Sequence, residues 1–146
     1  MGADPTAGYP LGTERRDAVR TPSGLSLDEL TLDALRAGRL DDREMRATAE
    51  TLRLQAEVAL AAGRAQLAAN LARAAELTAL PDDVILEIYT ALRPHRATQP
   101  ELERWAQRLE QEHAAPLTAA FVREATAAYA DRSLLRDDEQ AGTTAV

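Results

Sequence analysis

The stretch Gly63–Thr98, GRAQLAANLARAAELTALPDDVILEIYTALRPHRAT, decides the fold. Leu67, Leu71, Ala74, Ala75 and Thr78 recur along one stripe of a 3.6-residue period, which predicts an amphipathic helix. Leu80-Pro81 ends that run, because proline has no N–H to donate and restricts the residue before it. Pro81 suits the start of a second helix, with Asp82 and Asp83 in its positively polarised first turn. Ile85, Ile88, Tyr89 and Leu92 repeat the apolar stripe, and Arg93-Pro94 stops it. Two striped helices meeting at one proline are expected to form the centre of a small, all-α, multi-helix domain.

Toward the N-terminus, Thr48 is expected to cap a helix whose inward face is Leu52, Ala56, Ala59 and Leu60 and whose end is Gly63. Asp41-Asp42 opens a brief turn around Arg43 to Arg46. Thr31 caps a short helix through Leu35 and Ala37 that Gly38 closes in a left-handed conformation. Residues 1–24 are rich in Gly, Pro, Thr and Ser and read as an irregular N-terminal arm. Within it Tyr9-Pro10-Leu11 is an apolar triplet, either an anchor onto the chain's own core or a contact with a partner. Toward the C-terminus, Gln99-Pro100 starts a helix with Glu101 and Glu103 in its first turn and Leu102, Trp105, Ala106, Leu109 and His113 on one side. Pro116 starts the last helix, whose stripe reads Leu117, Ala120, Phe121, Ala125 and Ala128. The expected organisation is an arm over 1–24, a helical domain over 25–135 and a disordered polar tail over 136–146. No segment alternates with period two, and no solenoid-length repeat is present.

Composition narrows the function. Hydrophobic residues make up 45% of the 146, yet aromatics are only 3% and much of the rest is alanine. Alanine favours helix but buries little area, so the chain should complete its burial against a partner. A net charge of −7 argues against nucleic acid and anionic membranes as partners. No run approaches the roughly eighteen apolar residues that span a bilayer, and MGADPTAGYP lacks the layout of a signal peptide, which makes the cytoplasm the expected location. Cysteine is absent, in keeping with a reducing compartment and excluding disulfides and thiolate metal sites. Every basic residue is arginine, so neither a Schiff-base lysine nor a phosphate-loop lysine is available.

Candidate chemistry is sparse. His95 and His113 are the only histidines, and neither has a second one at metal-ligand spacing. Glu110 stands three residues before His113 and is placed to sit beside it; His95 lies in the cationic loop Arg93-Pro94-His95-Arg96. Arg104 and Arg108 are like charges four apart on a helix, mildly unfavourable alone and suggestive of an acidic partner. Trp105, the one tryptophan, is either core filler or an interface anchor. No nucleophile–base set, Gly-rich phosphate loop or carboxylate dyad emerges. The residues read as a helical interaction subunit, with a stand-alone adaptor or regulator as the alternative. A small hydrolase using His95 or His113 is a third reading.

Two clear blocks and three supporting pieces, the one from Met45 among the latter, add a resemblance. RAAELTALPDDVILEIYTALRPHRAT (Arg73 to Thr98), AAFVREATAAYADR (Ala119 to Arg132) and MRATAETLRLQA from Met45, with Thr21-Pro22-Ser23-Gly24 and LTLDALRAG from Leu30, occur in an order similar to the small subunit of coenzyme-B12-dependent diol and glycerol dehydratases. The resemblance spans about Tyr9 to Leu135. It implies a lyase of large, medium and small subunits, a heterotrimer that commonly pairs into a dimer of heterotrimers. In that family adenosylcobalamin is bound by the other subunits and supports a radical conversion of 1,2-diols or glycerol to aldehydes. The resemblance implies no catalytic, cofactor-binding or metal-binding residue in this chain, whose role would be to pack against the large subunit. Tyr9, Leu11, Tyr89, Arg93, Arg96, Trp105 and Phe121 are the expected fold or interface determinants. Some small subunits of this family carry a long N-terminal amphipathic extension associated with bacterial microcompartments. Here only Met1 to Gly8 precedes the similarity, without a helical stripe, so a glycerol-dehydratase-like or free cytoplasmic form is expected unless another subunit carries the targeting segment.

Overall fold

The computed structural model describes residues 8–137. These residues form seven α-helices: α1 (Leu11–Glu14), α2 (Leu32–Arg36), α3 (Ala49–Ala61), α4 (Ala65–Leu77), α5 (Asp82–Ala91), α6 (Gln99–Gln111) and α7 (Pro116–Asp131). Single 3₁₀ turns lie at Arg16–Ala18, Leu27–Glu29 and Asp42–Met45. Among the described residues there is no strand, only an isolated bridge between Arg20 and Ser26. The all-α expectation holds.

Helix starts follow local chemistry. The Thr31 hydroxyl accepts from the Ala34 N–H, Thr48 from Thr51, and the Asp41 carboxylate from Arg43 and Glu44, each satisfying amides that a helix start leaves without partners. Thr98 forms a full capping box on α6: its hydroxyl accepts from the Glu101 N–H while the Glu101 carboxylate accepts from the Thr98 N–H at 2.8 Å. That cap carries a T-x-x-E signature and was not among the expected ones. Gly38 and Gly63 close α2 and α3 with φ of 68° and 74°, a region open to glycine and costly for residues with a Cβ.

The chain divides into two compact units, Met1–Thr78 and Ala79–Val146. The quoted central stretch therefore straddles two units instead of forming the centre of one. In the first unit α3 and α4 pack on each other as a helical hairpin; in the second α6 and α7 do so. The Leu80-Pro81 break that separates the two stripes sits beside the unit boundary.

Several expected faces are rotated. On α7 the buried residues are Thr118, Ala119, Val122 and Thr126, while Leu117, Ala120 and Phe121 are exposed. The reason is small-residue packing against α6, made tolerable by the Thr126 hydroxyl donating to the Val122 carbonyl at 2.8 Å. On α3 only Ala59 is buried and Leu60 is exposed; on α4 Ala68 and Ala75 are buried, and Leu67 and Thr78 are exposed. On α5 the buried pair is Val84 and Ile88, four residues apart, and Tyr89 faces out. The α6 face matches its expectation, with Leu102, Ala106 and Leu109 at 1% exposure or less. On α3, α4 and α7 alanine occupies several sides, so the leucine pattern alone misplaces the seam; on α5 the seam takes in Val84 instead of Tyr89.

Candidate subunit interface

The second unit is braced by arginines. Arg123 on α7 reaches two of the three acidic residues of α6: its Nη1 donates to Glu110 Oε1 at 2.6 Å and its Nε to Glu103 Oε1 at 3.2 Å. Glu110 is held below the usual carboxylate range chiefly by the hydrogen bond from Arg123, and the Arg123 guanidinium is correspondingly raised. Glu110 thus serves Arg123, not His113 as its spacing suggested. The His113 Nε2 is buried with no hydrogen-bond partner among the described residues.

Arg136 ties the C-terminal side of this unit to the start of α6. It donates from Nη2 to Glu101 Oε1 at 2.6 Å, from Nη1 to the Arg96 carbonyl at 2.9 Å, and from its backbone to the Ala97 carbonyl at 2.9 Å. The Glu101 carboxyl is lowered first by the Thr98 N–H and then by Arg136. His95, with φ of 58°, donates its backbone N–H to the Leu134 carbonyl at 2.7 Å, so the loop 93–98 is pinned from the same side. Nothing in the polar sequence after Leu135 signals these bonds. Residues 138–146 of the expected tail lie outside the described residues, as do Met1 to Ala7 of the arm.

With its helices braced internally, the second unit still presents apolar and cationic surface. Leu86 and Tyr89 on α5 and Arg93, two residues past its end, are exposed. Leu117 and Phe121, four residues apart, are exposed on α7. An open groove of about 650 Å³ runs between α5 and α6, lined by Leu86, Thr90, Arg96, Arg104, Trp105 and Arg108. The Arg108 guanidinium lies 4.4 Å from the Trp105 ring centroid, a cation–π contact that holds both side chains in the groove wall.

The first unit has its own groove, about 830 Å³, between the Tyr9–Gly12 segment and the α3–α4 hairpin. Leu11 is buried there, while Tyr9, after which comes a cis peptide bond to Pro10, is 64% exposed on its rim with Leu67. The apolar triplet thus divides: Leu11 anchors on its own unit and Tyr9 is open. Of the seven expected determinants, Tyr9 and Leu11 meet in this groove, and Arg96 and Trp105 meet in the α5–α6 groove. Tyr89 is exposed on α5, Arg93 is exposed just past its end, and Phe121 is exposed on α7. Leu86 and Leu117, absent from that expected set, belong to the same exposed surfaces. Among the described residues no three His, Asp or Glu side chains group as a metal site, and no helix is long and apolar enough to cross a membrane.

A molecule with two open grooves and outward-facing leucines invites comparison with subunits of larger assemblies. Residues 5–136 match the family model described as dehydratase small subunit. The chain belongs to that family. It is 50% identical over 131 residues to the propanediol dehydratase small subunit of Citrobacter freundii, covering 90% of this chain and 76% of that protein. It is 49% identical over the same span to the propanediol dehydratase small subunit of Salmonella typhimurium, strain LT2. As a dehydratase small subunit it has larger partner subunits.

Proposed function

We propose that this chain is the small, non-catalytic structural subunit of a coenzyme-B12-dependent diol or glycerol dehydratase. The complex converts 1,2-diols such as propane-1,2-diol, or glycerol, to the aldehyde with loss of water. The single observation that carries this reading is the family match over residues 5–136, which spans both compact units. In this reading a large and a medium subunit join the chain in a heterotrimer, two of which pair, and Tyr9, Tyr89, Arg93, Arg96, Trp105 and Phe121 contribute to the interface while Leu11 supports the fold beneath it. Adenosylcobalamin is held by the other subunits and supplies radical chemistry there. The two histidines do not suit its cobalt: His113 has its Nε2 enclosed, and His95 is turned to the residue 134–135 backbone. The complex works in the cytoplasm, free or inside a bacterial microcompartment.

Reconstitution tests this reading. The three subunits are co-expressed with and without this chain, and aldehyde is measured after addition of adenosylcobalamin and propane-1,2-diol or glycerol. The expected result is a stable, active complex with the chain and a loss of assembly or activity without it. Unchanged assembly and turnover in its absence contradict the proposal.

A further inference from the structure

We infer that the α5–α6 groove is the seat of an acidic segment of a larger dehydratase subunit, held through its carboxylates by Arg96, Arg104 and Arg108. This rests on the reading of the chain as a dehydratase small subunit and specifies one of its contacts. The groove collects three guanidinium groups on a chain whose net charge is −7, so it is a local positive site on an acidic molecule. Its cations are mostly not consumed internally. Arg96 and Arg104 make no ion pair with a described residue, and Arg108 reaches Glu112 only at 3.4 Å. The groove also contains two carboxylates, Glu87 and Glu101. Glu101 is occupied by Arg136 and by the Thr98 N–H, which leaves Glu87 as the one lining acid without a described partner.

Placing Arg104 and Arg108 four apart on one helix face costs stability in the free subunit, and an anion between them reverses the sign of that term. Arg108 is fixed over Trp105, so its donors are pre-oriented and lose little freedom on binding. Leu86 and the indole supply apolar wall for the methylene stems of a peptide's Asp or Glu side chains. A guanidinium fork matches a carboxylate in shape as well as charge, which favours an acidic peptide over a purely apolar one.

A competition experiment separates this contact from the general assembly. Wild-type chain and the double variant Arg96→Glu, Arg104→Glu are co-expressed with the larger subunits, and their ratio in the purified complex is read by mass spectrometry against their ratio in the lysate. A matched double reversal in the first unit, Arg39→Glu, Arg43→Glu, serves as the charge control. The groove variant is expected to be depleted about tenfold or more, with the control close to parity. The melting temperature of the free groove variant should equal or exceed that of wild type, because Arg104→Glu replaces a like-charge pair by an opposite-charge one. Parity of the groove variant overturns the inference, as does equal depletion of the control, which would make the effect one of net charge. If the free groove variant melts lower, Arg96→Gln, Arg104→Gln decides by the same criterion. Failure of the wild-type chain to enter any complex overturns the reading of the chain as a dehydratase subunit, and this contact with it.

Discussion

The two helical hairpins of this chain differ in sequence and in burial: α3 and α4 are alanine-rich throughout, whereas α6 carries the single alanine Ala106. α6–α7 buries Leu102, Ala106, Leu109, Ala119 and Val122 almost completely and is clamped by Arg123 between Glu103 and Glu110. α3–α4 fully buries only alanines, Ala59, Ala68 and Ala75, and leaves Leu60 62% and Leu67 43% exposed. The α6–α7 hairpin fills its seam with leucine and valine, while Leu117 and Phe121 on α7 stay exposed. The α3–α4 hairpin buries alanines and leaves two leucines in water. In the proposed reading a partner subunit covers the exposed leucines of α3–α4, and covering them would favour assembly.

The difference can be broken at its strong end. Leu109→Ala removes a side chain with 0% exposure, so unfolding stability of the free subunit in urea should fall by about 2–5 kcal/mol. Arg123→Ala removes the shared partner of Glu103 and Glu110; its melting temperature should drop by less than that of Leu109→Ala and by more than that of Arg108→Ala. Thr98→Ala deletes one half of the α6 capping box and should cost about 1 kcal/mol in the same urea titration.

Acid probes the same clamp. The folded Glu110 and Glu101 carboxyls lie below their ordinary value of 4.5, so their contribution to stability is fully present above that pH. It is lost as pH falls through the depressed folded values. The urea midpoint should therefore decline below pH 4.5, and Glu110→Gln should flatten that decline. At the weak end, Leu60→Ser in α3 should change the free subunit's stability by no more than about 0.5 kcal/mol, while lowering its incorporation into the complex. A large loss of stability in the free subunit would erase the distinction between the hairpins.

Much of this was readable from local chemistry. Thr31, Asp41 and Thr48 announce helix starts because a short polar side chain beside bare amides has one good use, and Gly38 and Gly63 announce stops for the converse reason. The seams were harder. Where alanine lines several sides of a helix, a leucine stripe no longer marks the core, and on α7 it marks the outer face at Leu117 and Phe121 instead. Arg123 and Arg136 were illegible for a different cause: their partners lie 13 to 40 residues away, and only the hairpin and the return of the chain bring them together. Of the interface determinants, Arg96 and Trp105 stand nine residues apart in sequence yet line one groove, a placement that follows from the turn between α5 and α6.

Hydrogen–deuterium exchange of the full-length chain, alone and in the purified dehydratase complex, tests the central claim most directly. The account predicts slow exchange for α6–α7 amides in both states and a gain in protection on assembly for α3–α4. Equal protection of α3–α4 in both states would contradict it.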